Sequence, residues 1–355
     1  MRLLVDITAH GWGHLSQSAP IMTTLHEYYP GIELVVRSGL PSALIGQRFP
    51  GIIKHHYSDA EFGLVMEGPF NVDRAATLHR YEAIHARLNR SIDDLASVIA
   101  EERCDAVFTN IGYIAIAAAE RASVPSIACS SLNWSDIFST YCGHLPGAIP
   151  IIEGMDTAYS KASLFIRLVP GMPMDKFMTH SITRPIANVG KNKRALLVEV
   201  LGLKNASTIV LCSFGGMLPP APPPFVYNRD GLIVIGPQAW SEHGVIPVDD
   251  LPIPYADVLA SVDAVVTKPG YGIVSELGCT ATPAIMVSRG DWPEEPYLLH
   301  WLARHGRYVS VKDIRMLSAT FVKDWLIESS SRPIVVAQNG GEQEIAKQMS
   351  QCFFA

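Results

Sequence analysis

Short apolar runs alternate with stretches of helical period along both halves of the chain. Leu3–Ile7 is an apolar run of strand length, and Ser16–Tyr28 follows with Ile21, Leu25 and Tyr28 at helical spacing. Leu34–Val36 reads as a second strand. From Asp73 to Glu101 the residues Leu78, Tyr81, Ile84, Leu88, Ile92, Leu95 and Val98 recur every three or four positions, which predicts one long amphipathic helix. The second half repeats the scheme, with strands expected at Ile209–Cys212, Leu232–Gly236, Ala264–Thr267, Ala284–Val287 and Tyr308–Ser310 and helices between most of them. Strands alternating with helices predict an α/β protein built on doubly wound parallel sheets covered on both faces.

A chain of 355 residues is about twice the commonest domain size, so two domains are expected. The stretch from Arg167 to Pro185 carries Pro170, Pro173 and Pro185 and no sustained periodicity, which suits a boundary. The expected division is 1–166, 167–340, and a terminal helix over 341–355 that packs back on the first domain. The run "PPAPPP" at Pro219–Pro224 reads as a stiff surface loop. One unit recurs: "DAVFTNIGYIAIAAAERASVPSIACS" (105–130) aligns without a gap on "DAVVTKPGYGIVSELGCTATPAIMVS" (263–288), with nine of 26 positions identical. Duplication and shared construction both account for that likeness. The differences matter more: Asn110 becomes Lys268, Ile114 becomes Gly272 and Ala118 becomes Glu276. On this reading the common pattern, including the upstream copy, is scaffold.

Composition narrows the partners. The net charge is −6 and no block of Lys and Arg forms a phosphate-tracking stripe, so nucleic acid is not an expected partner. Six cysteines lie scattered without a C-x-x-C pair, which suits reduced thiols and a cytoplasmic protein. The apolar run before Asp6 is too short for a signal peptide, and no run reaches the ~18 apolar residues of a transmembrane helix. Peripheral membrane contact stays open, as does the oligomeric state.

Four turns at strand ends carry candidate chemistry. In "AHGWGHLSQS", Gly11 and Gly13 let backbone approach a ligand, His14 at the helix start suits a general base, and His10 suits substrate positioning; capping the helix is the plainer role for both histidines. In "LCSFGGMLPP", Ser213, Gly215 and Gly216 can offer a hydroxyl and N–H groups to a diphosphate, although glycine turns are common. In "TKPGYGIVSE", Pro269 stiffens the turn, Gly270, Tyr271 and Gly272 open the helix, and Lys268 adds a cation. Glu276 further along suits ribose hydroxyls, or serves the helix dipole alone. In "SRGDWPEEPYLLHWL", Asp291, Glu294 and Glu295 sit at a helix start, where they accept hydrogen bonds from sugar hydroxyls or simply meet solvent. No D-x-D occurs, and no His/Cys/Asp cluster has metal-ligand spacing, so neither a metal nor a cofactor is expected.

These four turns, in this order, resemble the two-domain GT-B nucleotide-sugar glycosyltransferases. The "GWGHLSQ" turn is similar to the glycine-rich acceptor-side turn whose histidine is the base in many plant members, which implies that role for His14. The "KPGYGIVSE" turn is similar to the donor turn of the bacterial peptidoglycan lipid-intermediate glycosyltransferase. That turn reads R-S-G before a ribose-binding glutamate, so Lys268, Gly270 and Glu276 match while Pro269 departs from the serine. Over most of the chain, "AHGWGHLSQS", "SSLNWSDIF", "IRLVPGMPM", "SFGG", "KPGYGIVSE" and "RGDWPEEPYL" resemble the N-terminal glycosyltransferase-like half of plant L-arabinokinase. A kinase-type G-x-x-x-x-G-K-[ST] loop does not occur.

The resemblance implies two Rossmann-like domains facing a central cleft, the first on the acceptor side and the second on the donor side. It implies metal-independent, inverting transfer of a hexosyl or pentosyl group from a nucleotide diphosphate, a UDP-sugar by expectation, to an acceptor hydroxyl of a small molecule or glycan. Two other readings remain at this stage: a non-catalytic nucleotide-sugar-binding module and a UDP-sugar 2-epimerase.

Overall fold

The computed structural model describes residues 1–10, 13–60, 62–177, 179–203 and 207–353. The chain divides into two compact units, Met1–Glu67 with Val72–Ile186 and Gly340–Ala355, and Gly68–Asn71 with Ala187–Asn339. Residues 167–186, which the sequence assigns to the second domain, group with the first. The reason is a pair of parallel strands: Leu164–Arg167 pairs with Thr179–Ser181 and so extends the first sheet through the proline-bearing stretch.

The first unit opens with β1 (Arg2–Ile7), α1 (Gly13–Tyr28), β2 (Glu33–Ser38), α2 (Ser42–Arg48) and β3 (Ile52–Tyr57). A short ribbon, β4 (Met66–Glu67) and β5 (Asn71–Val72), precedes α3 (Arg74–His85) and α4 (Leu88–Glu101). Then come β6 (Ala106–Asn110), α5 (Tyr113–Arg121), β7 (Ser126–Ser130), α6 (Trp134–Cys142), α7 (Ala148–Tyr159), β8 (Leu164–Arg167) and β9 (Thr179–Ser181).

Its seven-stranded sheet is parallel, in the order β3-β2-β1-β6-β7-β8-β9. Leu3, Leu4 and Val5 are fully buried, as a strand covered on both faces requires. One buried charge lies in that strand: Asp6 is opposite Arg37 and Thr109 in register, pairs with Arg37 Nη1 at 2.5 Å and accepts from Thr109 Oγ1 at 3.2 Å. The long helix expected from 73 to 101 is two helices. α3 packs on α6 and α7 whereas α4 packs on α5, so the chain changes direction at Ala86–Arg87 while the apolar period runs on. Asp73 caps α3 by accepting from Ala76 N at 2.8 Å.

The second unit holds α8 (Arg194–Val200), β10 (Thr208–Ser213), β11 (Leu232–Gly236), β12 (Ile246–Pro247), α9 (Tyr255–Leu259), β13 (Ala264–Thr267) and α10 (Tyr271–Thr280). β14 (Ala284–Val287), α11 (Glu295–His305), β15 (Tyr308–Val311) and α12 (Ala319–Ser329) complete it. Six parallel strands run in the order β12-β11-β10-β13-β14-β15. Alternate residues serve opposite layers: Val210, Cys212 and Val266 join one core with Trp240 and Trp325, while Ile209, Leu211 and Val265 join the other with Leu277 and Leu298. The last helix, α13 (Gly341–Phe353), belongs to the first unit, where it packs on α1 and Glu344 pairs with Arg184 Nε at 2.5 Å.

All six cysteines are free, five of them buried. The two copies of the repeated unit fold alike, their elements ending within one residue of each other. β6 and β13, α5 and α10, and β7 and β14 each begin at aligned positions.

Candidate active site

In each sheet the strand order reverses once, between β1 and β6 in the first unit and between β10 and β13 in the second. Such a reversal opens a crevice beyond the carboxyl ends of the two strands, where doubly wound sheets bind ligands. Three of the four turns singled out from the sequence end up at these two points, and the fourth follows the neighbouring strand β14. His14 follows β1 beside Asn110 at the end of β6, and Ser213 and Lys268 follow β10 and β13.

In the first unit His14 stands in the first turn of α1 and is 5% exposed. Its Nδ1 lies 2.6 Å from Asn110 Oδ1. Asn110 Nδ2 donates to Gln17 Oε1 at 2.9 Å, and Gln17 Nε2 donates to Ser131 Oγ at 3.0 Å. Because the Asn110 amide gives its N–H to Gln17, its oxygen faces the imidazole; Nδ1 then carries the ring proton and Nε2 the lone pair. No described residue hydrogen-bonds Nε2. Burial lowers the His14 pKa from 6.5 to about 4, partly opposed by the Asn110 bond.

Trp134 lies against this histidine, its ring 5.4 Å from that of His14 and 5.1 Å from that of His10. The close fit reaches Gly63, where an added Cβ would run into the Trp134 ring and come within 2.7 Å of His10. Leu64 N donates to His10 Nδ1 at 3.4 Å, which ties His10 to the Gly63–Leu64 segment. Gly13 has open space over its Cα; Gly11 lies outside the described residues.

In the second unit Phe214 is buried against Trp240, which anchors the turn so that Gly215, at a φ of +68°, and Gly216 stay exposed. Trp240 is thereby committed to the core. Ser213 Oγ and Tyr255 Oη share a hydrogen bond of 2.8 Å. Gly270 starts α10 without a side-chain cap and, like Gly215, has open space where a Cβ would stand.

The side chains of Lys268 and Glu276 each lack a hydrogen-bond or ion-pair partner among the described residues. Burial, with the nearby Arg289 guanidinium, lowers the Lys268 pKa from 10.5 to about 8. Burial alone raises that of Glu276 from 4.5 to about 8. The Tyr255 phenol is pushed upward by burial and then by Glu276, against the pull of its Ser213 bond. A cation, two hydroxyls, an uncapped helix start and a protonated carboxyl thus converge on one crevice, a donor and acceptor set suited to a diphosphate and a neighbouring diol.

The remaining acidic residues divide. Glu295 accepts from Ser288 Oγ and from Arg289 N, each at 2.7 Å, and Glu294 accepts from Trp292 Nε1 at 3.3 Å. Both are less than 8% exposed and brace the loop from β14 to α11, so their carboxylates are engaged by that loop. Asp291 alone of the three is exposed. The braced loop presents Arg289, whose guanidinium lies 3.6 Å over the Trp292 ring. Tyr271 is buried at the start of α10.

Sequence reasoning passed over Asn110, Gln17, Ser131, Trp134, Gly63 and Arg289, and considered Tyr255 only as the end of a loop, 251–255, beside the nucleobase. Two signals were present: Asn110 is the aligned counterpart of Lys268, and Trp134 stands in "SSLNWSDIF". The upstream copy, read as scaffold, in fact supplies the partner of His14.

No family model matches the chain. It is 24% identical to L-arabinokinase of Arabidopsis thaliana over 317 residues, 83% of this chain but 29% of that protein. It therefore spans under a third of the curated relative it matches. Among solved structures, Arabidopsis thaliana UGT89C1 complexed with UDP has a TM-score of 0.60 at 12% identity over 100% of both chains. The glycosyltransferase VinC in complex with dTDP has a TM-score of 0.52 at 14% identity, over 100% of this chain and 96% of VinC. MurG of Acinetobacter baumannii has a TM-score of 0.52 at 12% identity, over 99% of this chain and 100% of MurG. At these identities the likeness is one of architecture: the chain has the α/β fold of the GT-B glycosyltransferases.

Proposed function

We propose that this protein is a glycosyltransferase that moves a sugar from a nucleoside-diphosphate donor, a uridine one, to an acceptor hydroxyl. The observation that carries the reading is the crevice between β10 and β13, where the half-buried side chains of Lys268 and Glu276 stand without partners among the described residues, beside Ser213 and Tyr255. Unpaired buried polar groups are costly in a ligand-free protein and become an asset when a ligand completes them.

In this reading the diphosphate lies over the Ser213–Gly216 turn and the start of α10, with Lys268 supplying positive charge; Glu276 meets the ribose hydroxyls and Asp291 the sugar. The charge comes from side chain and helix, which favours metal-independent transfer. The UDP and dTDP in the UGT89C1 and VinC structures support a nucleoside-diphosphate ligand.

His14 Nε2 takes the acceptor proton as the acceptor oxygen bonds to the anomeric carbon, while the carbon–oxygen bond to the diphosphate breaks and its electron pair leaves with the nucleotide. A single displacement of this kind inverts the anomeric centre. The test is a thermal-shift screen of UDP-, dTDP- and GDP-sugars followed by detection of nucleotide release with hydroxyl acceptors. A donor at 100 times its Kd stabilises the fold by ~2.7 kcal/mol. UDP-sugars are expected to raise Tm, and no shift with any nucleotide would refute the proposal.

A further inference from the structure

His14 is oriented by amides and a hydroxyl. From Asn110 through Gln17 to Ser131, each link fixes the next, and every link is neutral. A neutral amide sets the imidazole tautomer as well as a carboxylate does, but it does not offset the positive charge that appears when Nε2 takes a proton. Among the described residues, the groups that touch the ring carry no charge: Trp134 from α6 and Asn110 from β6. Gln17 on α1 backs Asn110, Ser18 donates to the His14 backbone carbonyl, and His10 packs against Trp134. Asp6 on β1 is committed to Arg37 and Thr109. Burial and the Asn110 bond are the influences on the ring among the described residues.

We infer that Asn110, Gln17 and Ser131 form a neutral positioning relay which holds His14 Nε2 as a lone pair without stabilising its protonated form, so that transfer requires an acceptor hydroxyl that is itself acidic. The inference rests on the glycosyl-transfer reading. During transfer the acceptor oxygen bonds to the anomeric carbon as the bond to the diphosphate breaks, and its proton passes to Nε2 and then to solvent. With an uncompensated imidazolium the proton moves late, and the acceptor oxygen bears most of the developing negative charge. A hydroxyl of phenolic acidity, near a pKa of about 10, sustains that charge. An aliphatic hydroxyl, close to water at roughly 15.7, depends on a stronger base.

The experiment combines ¹⁵N spectra of His14 with transfer rates to a phenol series and an alkyl alcohol series. In the full-length protein at pH 6, His14 is expected to be neutral with Nδ1 protonated. Gln17→Leu should lose that single tautomer and Gln17→Glu, which can still accept from Asn110, should restore it. Asn110→Asp is expected to move His14 protonation and the acid limb of the kcat/KM profile upward by a pH unit or more, and to raise the alcohol-to-phenol rate ratio at least tenfold.

Three results overturn the inference: wild-type His14 titrating at or above 6.5, the value from which burial should displace it; Gln17→Leu with unchanged tautomer and pH profile; or wild-type rates on alkyl alcohols equal to those on phenols. Expected spectra with no transfer to any hydroxyl from a bound donor would instead refute glycosyl transfer, and the acceptor class with it.

Discussion

Replacing Glu276 by glutamine tests the donor crevice without a ligand. Burial raises the carboxyl pKa from 4.5 to about 8, and no described residue pairs with it. The folded protein therefore keeps this proton at neutral pH while the unfolded chain releases it. Between those two values the native state binds more protons than the unfolded state, so stability falls as pH rises. The contribution is fully present below 4.5 and lost by the time pH passes about 8. Each pKa unit is worth about 1.4 kcal/mol, which puts the full effect on the order of 3–5 kcal/mol once relaxation and water entry are allowed for.

Glu276→Gln keeps the shape and removes the titration. Urea unfolding of both proteins from pH 5 to 8.5 should give similar stabilities at the acid end. The variant should gain on the wild type with each pH unit, and lead by ~3–5 kcal/mol near pH 8. A difference that stays flat across this range would mean that Glu276 ionises normally in the fold, and the account of a proton-holding crevice would fail.

Lys268 titrates in the opposite sense: its folded pKa of about 8 lies below 10.5, so its buried charge costs stability below pH 8 and the cost is relieved as pH rises from 8 to 10.5. Lys268→Met is accordingly expected to be more stable than wild type at pH 7, by up to ~3 kcal/mol in a urea titration, and to bind UDP at least tenfold more weakly by calorimetry. Gly63→Ala should destabilise the first unit by ~1–3 kcal/mol, since its Cβ meets Trp134 and His10, and a Tm equal to wild type would mean the segment moves aside freely. Arg37→Leu leaves Asp6 buried without its cation and should cost ~3–5 kcal/mol at pH 7 in chemical denaturation.

Much of the architecture was legible because strand and helix periods differ and each run in the second half was apolar for the length of one strand. The strands at 208–213, 232–236, 264–267, 284–287 and 308–311 lie within a residue of expectation at each end, while the two-residue edge strand β12 was not foreseen. Two features were hidden because they depend on tertiary partners. The helix over 73–101 kept its apolar period across Ala86–Arg87, yet its halves pack on different layers. The stretch 167–186 looked like a linker, whereas its short strand β9 is specified by pairing with β8.

The site was legible where a residue type announces its chemistry within a turn, as with His14, Lys268 and Glu276. It was illegible where the role comes from a neighbour distant in sequence. Asn110 contacts His14 across 96 positions, and Tyr255 contacts Ser213 across 42. Glu294 and Glu295 show the converse: their charge suggests a ligand, while the loop before them supplies hydrogen bonds to both carboxylates.

The central claim is that His14 supplies the base for transfer from a nucleotide sugar. Its most direct test is the rate of nucleoside-diphosphate release and product formation by wild type and His14→Ala with a donor and acceptor the wild type accepts. The account expects His14→Ala to bind the donor with unchanged affinity and to lose a factor of about 10² to 10⁴ in turnover. Equal turnover in the two proteins would contradict it.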